Sequence, residues 1–231
     1  MKFLAIALSA LTLVACGGGG GGGTPAATGP VASTQSFPLQ SGYRAILASG
    51  LSKSFTISGT CTGSGSKSSS PATTASTFEG VTGFSATSTL TLTYTNCTPA
   101  STAVTSTSYF DTNYNPLGVN SVGVNYGVYT TPFVVPTSVT VGGTGTLGTE
   151  SLYTNSTKSV SNGYVAQSYV VEADTSTTAV VNLIARIYNA SGTLTVTEQD
   201  RYRITSTGAL TPVSIDLQYA NGSTNHLVFT F

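Results

Sequence analysis

The sequence predicts an all-β domain, an antiparallel meander folded as a sandwich or an open half-barrel. Three observations carry this. Ser and Thr make up about 30% of the 231 residues, and Thr, Val and Tyr favour strands while Gly, Asn and Ser favour the turns between them. The carboxy-terminal third alternates apolar with polar residues over successive runs bounded by turn signals. Beyond the first fifteen residues, no segment is read as keeping a helical period. The chain is poor in charge, at 7%, yet 39% hydrophobic, with 12 Tyr and 9 Phe to build a core, so its composition is not that of a disordered chain. Eight basic residues against eight acidic ones leave no basic stripe to neutralise phosphates, which argues against nucleic acid as a partner.

Met1-Lys2 is a short basic start, and Phe3 to Val14 is an apolar run of signal-peptide length, too short to span a bilayer. The run ends in Leu13-Val14-Ala15-Cys16. This tetrapeptide resembles the lipobox of bacterial lipoproteins. The resemblance implies that residues 1–15 are a cleaved signal peptide and that Cys16 carries fatty acids, palmitate among them, which hold the protein on a membrane. Gly17, where an Asp would retain such a protein on the inner membrane, implies the outer membrane of the cell envelope, facing the periplasm or the exterior. In composition and layout the rest of the chain is similar to uncharacterised β-rich envelope lipoproteins of Gram-negative bacteria, a likeness that carries over no catalytic residue. Residues 16–40, with the glycine run Gly17–Gly23 and a Thr/Pro/Ala/Ser stretch after it, read as a disordered tether reaching about 27 Å. The β domain is expected over residues 41–231.

Export to an oxidising compartment implies a disulfide between the two remaining cysteines, Cys61 and Cys97. Two thiols and one His give no metal site, and no cofactor motif is present. Ser66 to Thr77 reads as an exposed loop. Ser88 to Asn96 reads as a half-buried strand, with Leu90, Leu92 and Tyr94 on one face and threonines on the other. Pro132 and Pro136 suggest an edge or a crossover, and a weak subdivision near 132–145. Strands follow at Val165–Ala173, Ala179–Tyr188 (apolar on both faces, hence central), Thr193–Thr205, Val213–Tyr219 and Leu227–Phe231. Turns fall at Asn189–Gly192, Ser206–Gly208 and Asn221-Gly222. The ending Leu227, Phe229, Phe231 resembles the last strand of outer-membrane barrels, but the Ser/Gly-rich first half lacks the outward apolar band such a barrel needs.

Few residues offer chemistry. His226 is the sole histidine and shares parity with Val228 and Thr230, as a solvated strand residue would. Ser64-Gly65-Ser66-Lys67 matches S-x-x-K, but in a Gly/Ser context without a helix or the partner motifs of penicillin-recognising enzymes. Gly143 to Gly148 spells G-x-G-x-x-G between strand-like flanks, which makes it a β-turn rather than a phosphate loop. The four N-x-S/T triplets are expected by chance in so Ser/Thr-rich a chain.

Glu198 and Asp200 lie on one strand about 7 Å apart, with Glu172 and Asp174 a second such pair. Glu198 and Asp200 share parity with Leu194, Val196, Tyr202 and Ile204. Either a bulge flips the register, or the two acids, with Arg201 and Arg203, line a polar cavity. The expectation is a membrane-anchored, non-catalytic β domain that binds or scaffolds an unidentified ligand. The alternatives are a carrier of an apolar or acyl molecule and a hydrolase that uses the paired carboxylates.

Overall fold

The computed structural model describes residues 29–220 and 225–231. The expected signal peptide, the Cys16 acylation site and the Asn221-Gly222 turn lie outside the described residues. One helix precedes the strands: α1 (Leu39–Ser49), β1 (Leu51–Gly59), β2 (Gly63–Ser69), β3 (Thr74–Phe78), β4 (Val81–Tyr94), β5 (Ser101–Asp111), β6 (Pro116–Ser121), β7 (Asn125–Thr131), β8 (Thr144–Tyr153), β9 (Ser161–Ala173), β10 (Thr178–Tyr188), β11 (Leu194–Thr205), β12 (Leu210–Tyr219) and β13 (His226–Thr230).

All pairings are antiparallel, and the sheet closes on itself. From β4 to β13 each strand pairs with the next, β13 returns to β1, β1 pairs with β2, and β2 pairs with the second half of β4. Twelve strands thus form the ring, and β3 is an extra strand on the first half of β4. This corrects the sandwich or open half-barrel expected from sequence. Closure pairs the backbone edges that an open sheet exposes. The segment read as a loop at Ser66–Thr77 supplies the closing strand β2 and the extra strand β3.

Around β4 the inward residues are mostly apolar and the outward ones hydroxylic. In β4, Leu90 and Leu92 pack with Phe55, Ile57, Ile215, Leu227 and Phe229 inside. On the other face Thr89 pairs with Ser68 and Thr105, and Thr91 with Ser66 and Ala103.

Eight strands make a bore that side chains can just fill, so twelve make a wider one. One end is plugged by α1. Its stripe Leu39, Tyr43, Ile46 and Leu47 has the i, i+4, i+7, i+8 spacing of a helical face. Leu39 joins Phe37, Phe133, Val139, Leu147, Val181 and Ile204 in the largest core cluster, while Leu47 packs against Ala72, Ala86 and Phe110 on another sector of the wall. The helix therefore bridges the bore. It sits close: a Cβ on Gly42 would lie 2.0 Å from the Gly208 carbonyl oxygen in the β11–β12 turn. Gly50, at φ +73°, ends the helix in a left-handed conformation and turns the chain into β1.

Two expectations are corrected here. The tether was drawn to residue 40, but the chain is already tied down at Val31, whose N–H donates to Asp174, and at Phe37, which is fully buried and bonds Val139. The proline-containing segment near 132–145 lies between β7 and β8, which pair from Tyr126↔Tyr153 to Thr131↔Thr149, so the sheet runs through it unbroken. Phe133, Val135 and Val139 turn inward to meet α1. At the opposite end, the Cys61–Cys97 disulfide links the β1–β2 turn to the β4–β5 connection, with 5.7 Å between the α-carbons.

Candidate functional site

β11 brings the chemistry inside. Its ladder with β10 runs without slip from Thr178↔Thr205 to Ile187↔Val196, so Glu198, Asp200 and Tyr202 keep the inward parity of Val196 and of the fully buried Ile204. The irregularity lies on the β12 side, at Arg201/Tyr202, where Val213 is the extra residue. The strand therefore does not flip, and the two acids face the bore. Lys67 of β2 reaches them from another sector of the wall, its Nζ 3.8 Å from Asp200 Oδ2. The Lys67 side chain keeps 28% of its exposure although it sits inside the ring, because it looks onto a hollow.

That hollow measures about 170 Å³ and lies between α1 and the barrel wall. Leu39, Tyr43 and Leu47 form its roof, and Phe133, Leu183 and Leu210 are among its walls. Its polar lining consists of Lys67, Tyr43, Tyr202, Ser69 and Ser88. Burial pushes the Tyr202 phenol up to about 12 and holds Tyr43 well above the ordinary tyrosine range. Burial alone would lower Lys67, but Asp200, then Tyr202 and Glu198, outweigh it and raise the ammonium above the usual lysine value. Glu198 is pushed up to about 8 by burial and then by the neighbouring Asp200 carboxylate, so it holds its proton at neutral pH. At that pH a charged Lys67 therefore stands near a protonated Glu198.

The polar residues continue around the bore. Ala185 pairs with both Glu198 and Gln167, which places Gln167 two strands away in the same row. Gln167 Nε2 donates to the Tyr129 hydroxyl at 2.8 Å. Tyr129 pairs with Glu150, whose carboxyl is buried, has one oxygen without a hydrogen-bond partner, and is pushed up to about 7 by burial.

Arg201 and Arg203, expected beside the two acids, alternate with them and lie on the opposite, outward face of β11. Arg203 bonds Asp174 through Nε at 2.7 Å and Nη2 at 3.2 Å. Arg201 stands 3.5 Å from Glu172 and 3.9 Å from Asp216. His226 Nε2 meets Asp216 Oδ1 at 2.9 Å on the same face, and Asn182 Nδ2 donates to Glu172 and Gln199. The second acid pair, Glu172 and Asp174, thus belongs to surface ion pairs. The bore's cation is instead Lys67, which the sequence offered only within S-x-x-K. β2 is a strand, so Ser64 and Lys67 fall on opposite faces of it. The glycine-rich stretch Gly143–Gly148 runs into strand β8, not a helix. Among the described residues no group of three or more His, Cys, Asp or Glu side chains is placed to hold a metal ion.

The arrangement is a small apolar hollow whose wall carries hydrogen-bond donors and one cation. Glu198 and Asp200 stand side by side on one strand, and neither lines the hollow. No protein-family model, curated protein or solved structure matches this chain.

Proposed function

We propose that the protein is an outer-membrane lipoprotein whose barrel holds a small apolar molecule beneath α1. The hollow between α1 and the wall carries this reading, and it favours a carrier or binding protein over a scaffold whose core is filled. Its size, about 170 Å³, is comparable to apolar cavities of roughly 150 Å³ that stay dry and take up benzene. The anchor rests on Leu13-Val14-Ala15-Cys16. With Val31 already bonded to the barrel, the chain from Cys16 spans at most about 50 Å, so the barrel is held near its membrane.

The test uses Cys16→Ser protein. It should leave the membrane fraction, and the intact mass of the unmutated protein should include fatty acids. Titration with benzene should shift the methyl resonances of Leu39, Leu183 and Leu210. Leu183→Phe, which fills the hollow, should abolish the shifts while the protein stays folded. Absence of shifts in the Cys16→Ser protein, or equal shifts in the filled variant, would rule the binding site out.

A further inference from the structure

We propose that the molecule held in the hollow is a short-chain carboxylate whose anionic end is received by the Lys67 ammonium. This rests on the hollow being the ligand site and names the class of ligand it takes.

Every polar side chain on the lining can donate a hydrogen bond: the Lys67 ammonium, the Tyr43 and Tyr202 phenols, and the Ser69 and Ser88 hydroxyls. No Asp, Glu, Asn or Gln contributes to that lining. A ligand that offers acceptors therefore matches all five, and the one charged group among them, the Lys67 ammonium, can only donate. Lys67 makes no hydrogen bond among the described residues. Its ion-pair partner Asp200 stands at 3.8 Å, beyond hydrogen-bond length, so its N–H groups are unspent. A carboxylate arriving from the hollow side would take up those donors. A charge-assisted bond in so enclosed a place is stronger than one formed in water.

The acids stand behind the lysine rather than across the hollow. Asp200 keeps the ammonium charged, and Glu198, held neutral, adds no second anion to compete for it. The apolar remainder of the ligand meets Leu39, Leu47, Phe133, Leu183 and Leu210. A hollow of this size fits a chain of only a few methylenes or a single ring.

The experiment compares pentanoate, pentanol and pentylamine at pH 7 by calorimetry, using the Cys16→Ser protein. Pentanoate should bind at least tenfold more tightly than pentanol, and pentylamine least well. Lys67→Met should remove the preference for pentanoate and leave pentanol binding within about twofold. Lys67→Arg, which keeps a cation at this position, should preserve the preference, so a Lys67→Met protein that fails to fold does not end the test. Equal affinity for pentanoate and pentanol in the parent protein, a preference for pentylamine, or a pentanoate preference that survives in folded Lys67→Met each overturns the carboxylate assignment while the hollow stands. If none of the three binds, the hollow is not a ligand site and both readings fall.

Discussion

The two ends of the barrel are closed by different means. At the α1 end, side chains do the work: Phe37, Val171, Val181 and Ile204 are at most 1% exposed, and the helix and the β7–β8 connection fold into the bore. At the far end, the cluster of Phe55, Ile57, Leu92, Leu227 and Phe229 fills the bore, and the connections at 60–62 and 189–193 close the rim above it. They are held by a disulfide and by local polar bonds. Asn96 Oδ1 accepts from the Thr62 N–H at 2.7 Å, and Asn189 Oδ1 accepts from the Ser191 and Thr193 N–H groups. The contrast teaches where stability and vacancy come from. Packing stabilises the end it fills and leaves a hollow where α1 does not reach. A covalent tie joins rims without occupying the space between them.

The contrast breaks most sharply at Phe37. Phe37→Ala should cost about 3–5 kcal/mol in denaturant unfolding, since it empties a fully buried site shared by α1 and the wall. A cost below about 1 kcal/mol would mean that this end is not seated by packing.

Removing the disulfide as Cys61→Ser with Cys97→Ser should cost about 3–4 kcal/mol. Amide exchange should then quicken in β1–β2 and at the β4–β5 junction, with α1 unaffected. Exchange rising equally at both ends would show that the two closures are not separate.

Between the ends, Glu150 gives a pH response. Its carboxyl titrates near 4.5 when unfolded and about 7 when folded, so the folded state binds the extra proton. This favours folding at low pH and is lost as pH rises through that window, by about 2 kcal/mol between pH 5 and 7. Glu150→Gln should flatten that fall, and an unchanged slope would locate the titration elsewhere.

The smallest effect is expected on the outside of the α1 end. Arg203→Gln removes a half-exposed ion pair with Asp174 and should cost under about 1 kcal/mol, well below the loss inside the same end.

The strands from β9 to β12 were legible because period-two alternation leaves a direct mark in Val, Ile, Leu and Tyr. So was the inward option for Glu198 and Asp200, through their shared parity with Ile204. The Cys61–Cys97 pairing followed from the expected compartment. Closure was not legible, because it depends on β2, whose Gly63-Ser64-Gly65-Ser66 run carries no hydrophobic signal and pairs only because its neighbours reach it. Lys67 was hidden with it. The helix was missed although Leu39, Tyr43, Ile46 and Leu47 mark one face: the tether was drawn to residue 40, and residues 41–49 fell to the β domain with no element of their own. The arginines were assigned to the wrong side because neighbours in a strand point to opposite faces, and sequence proximity alone does not separate them.

The hydroxyl rows on the outside of β1, β2, β4 and β5 have a consequence for how the molecule meets others. Of sixteen formal charges, Lys67, Glu150, Glu198 and Asp200 turn inward, which thins an already sparse outer complement. Its exterior holds water by neutral dipoles and casts little long-range field. Encounters with that exterior should proceed at much the same speed in dilute buffer as in brine.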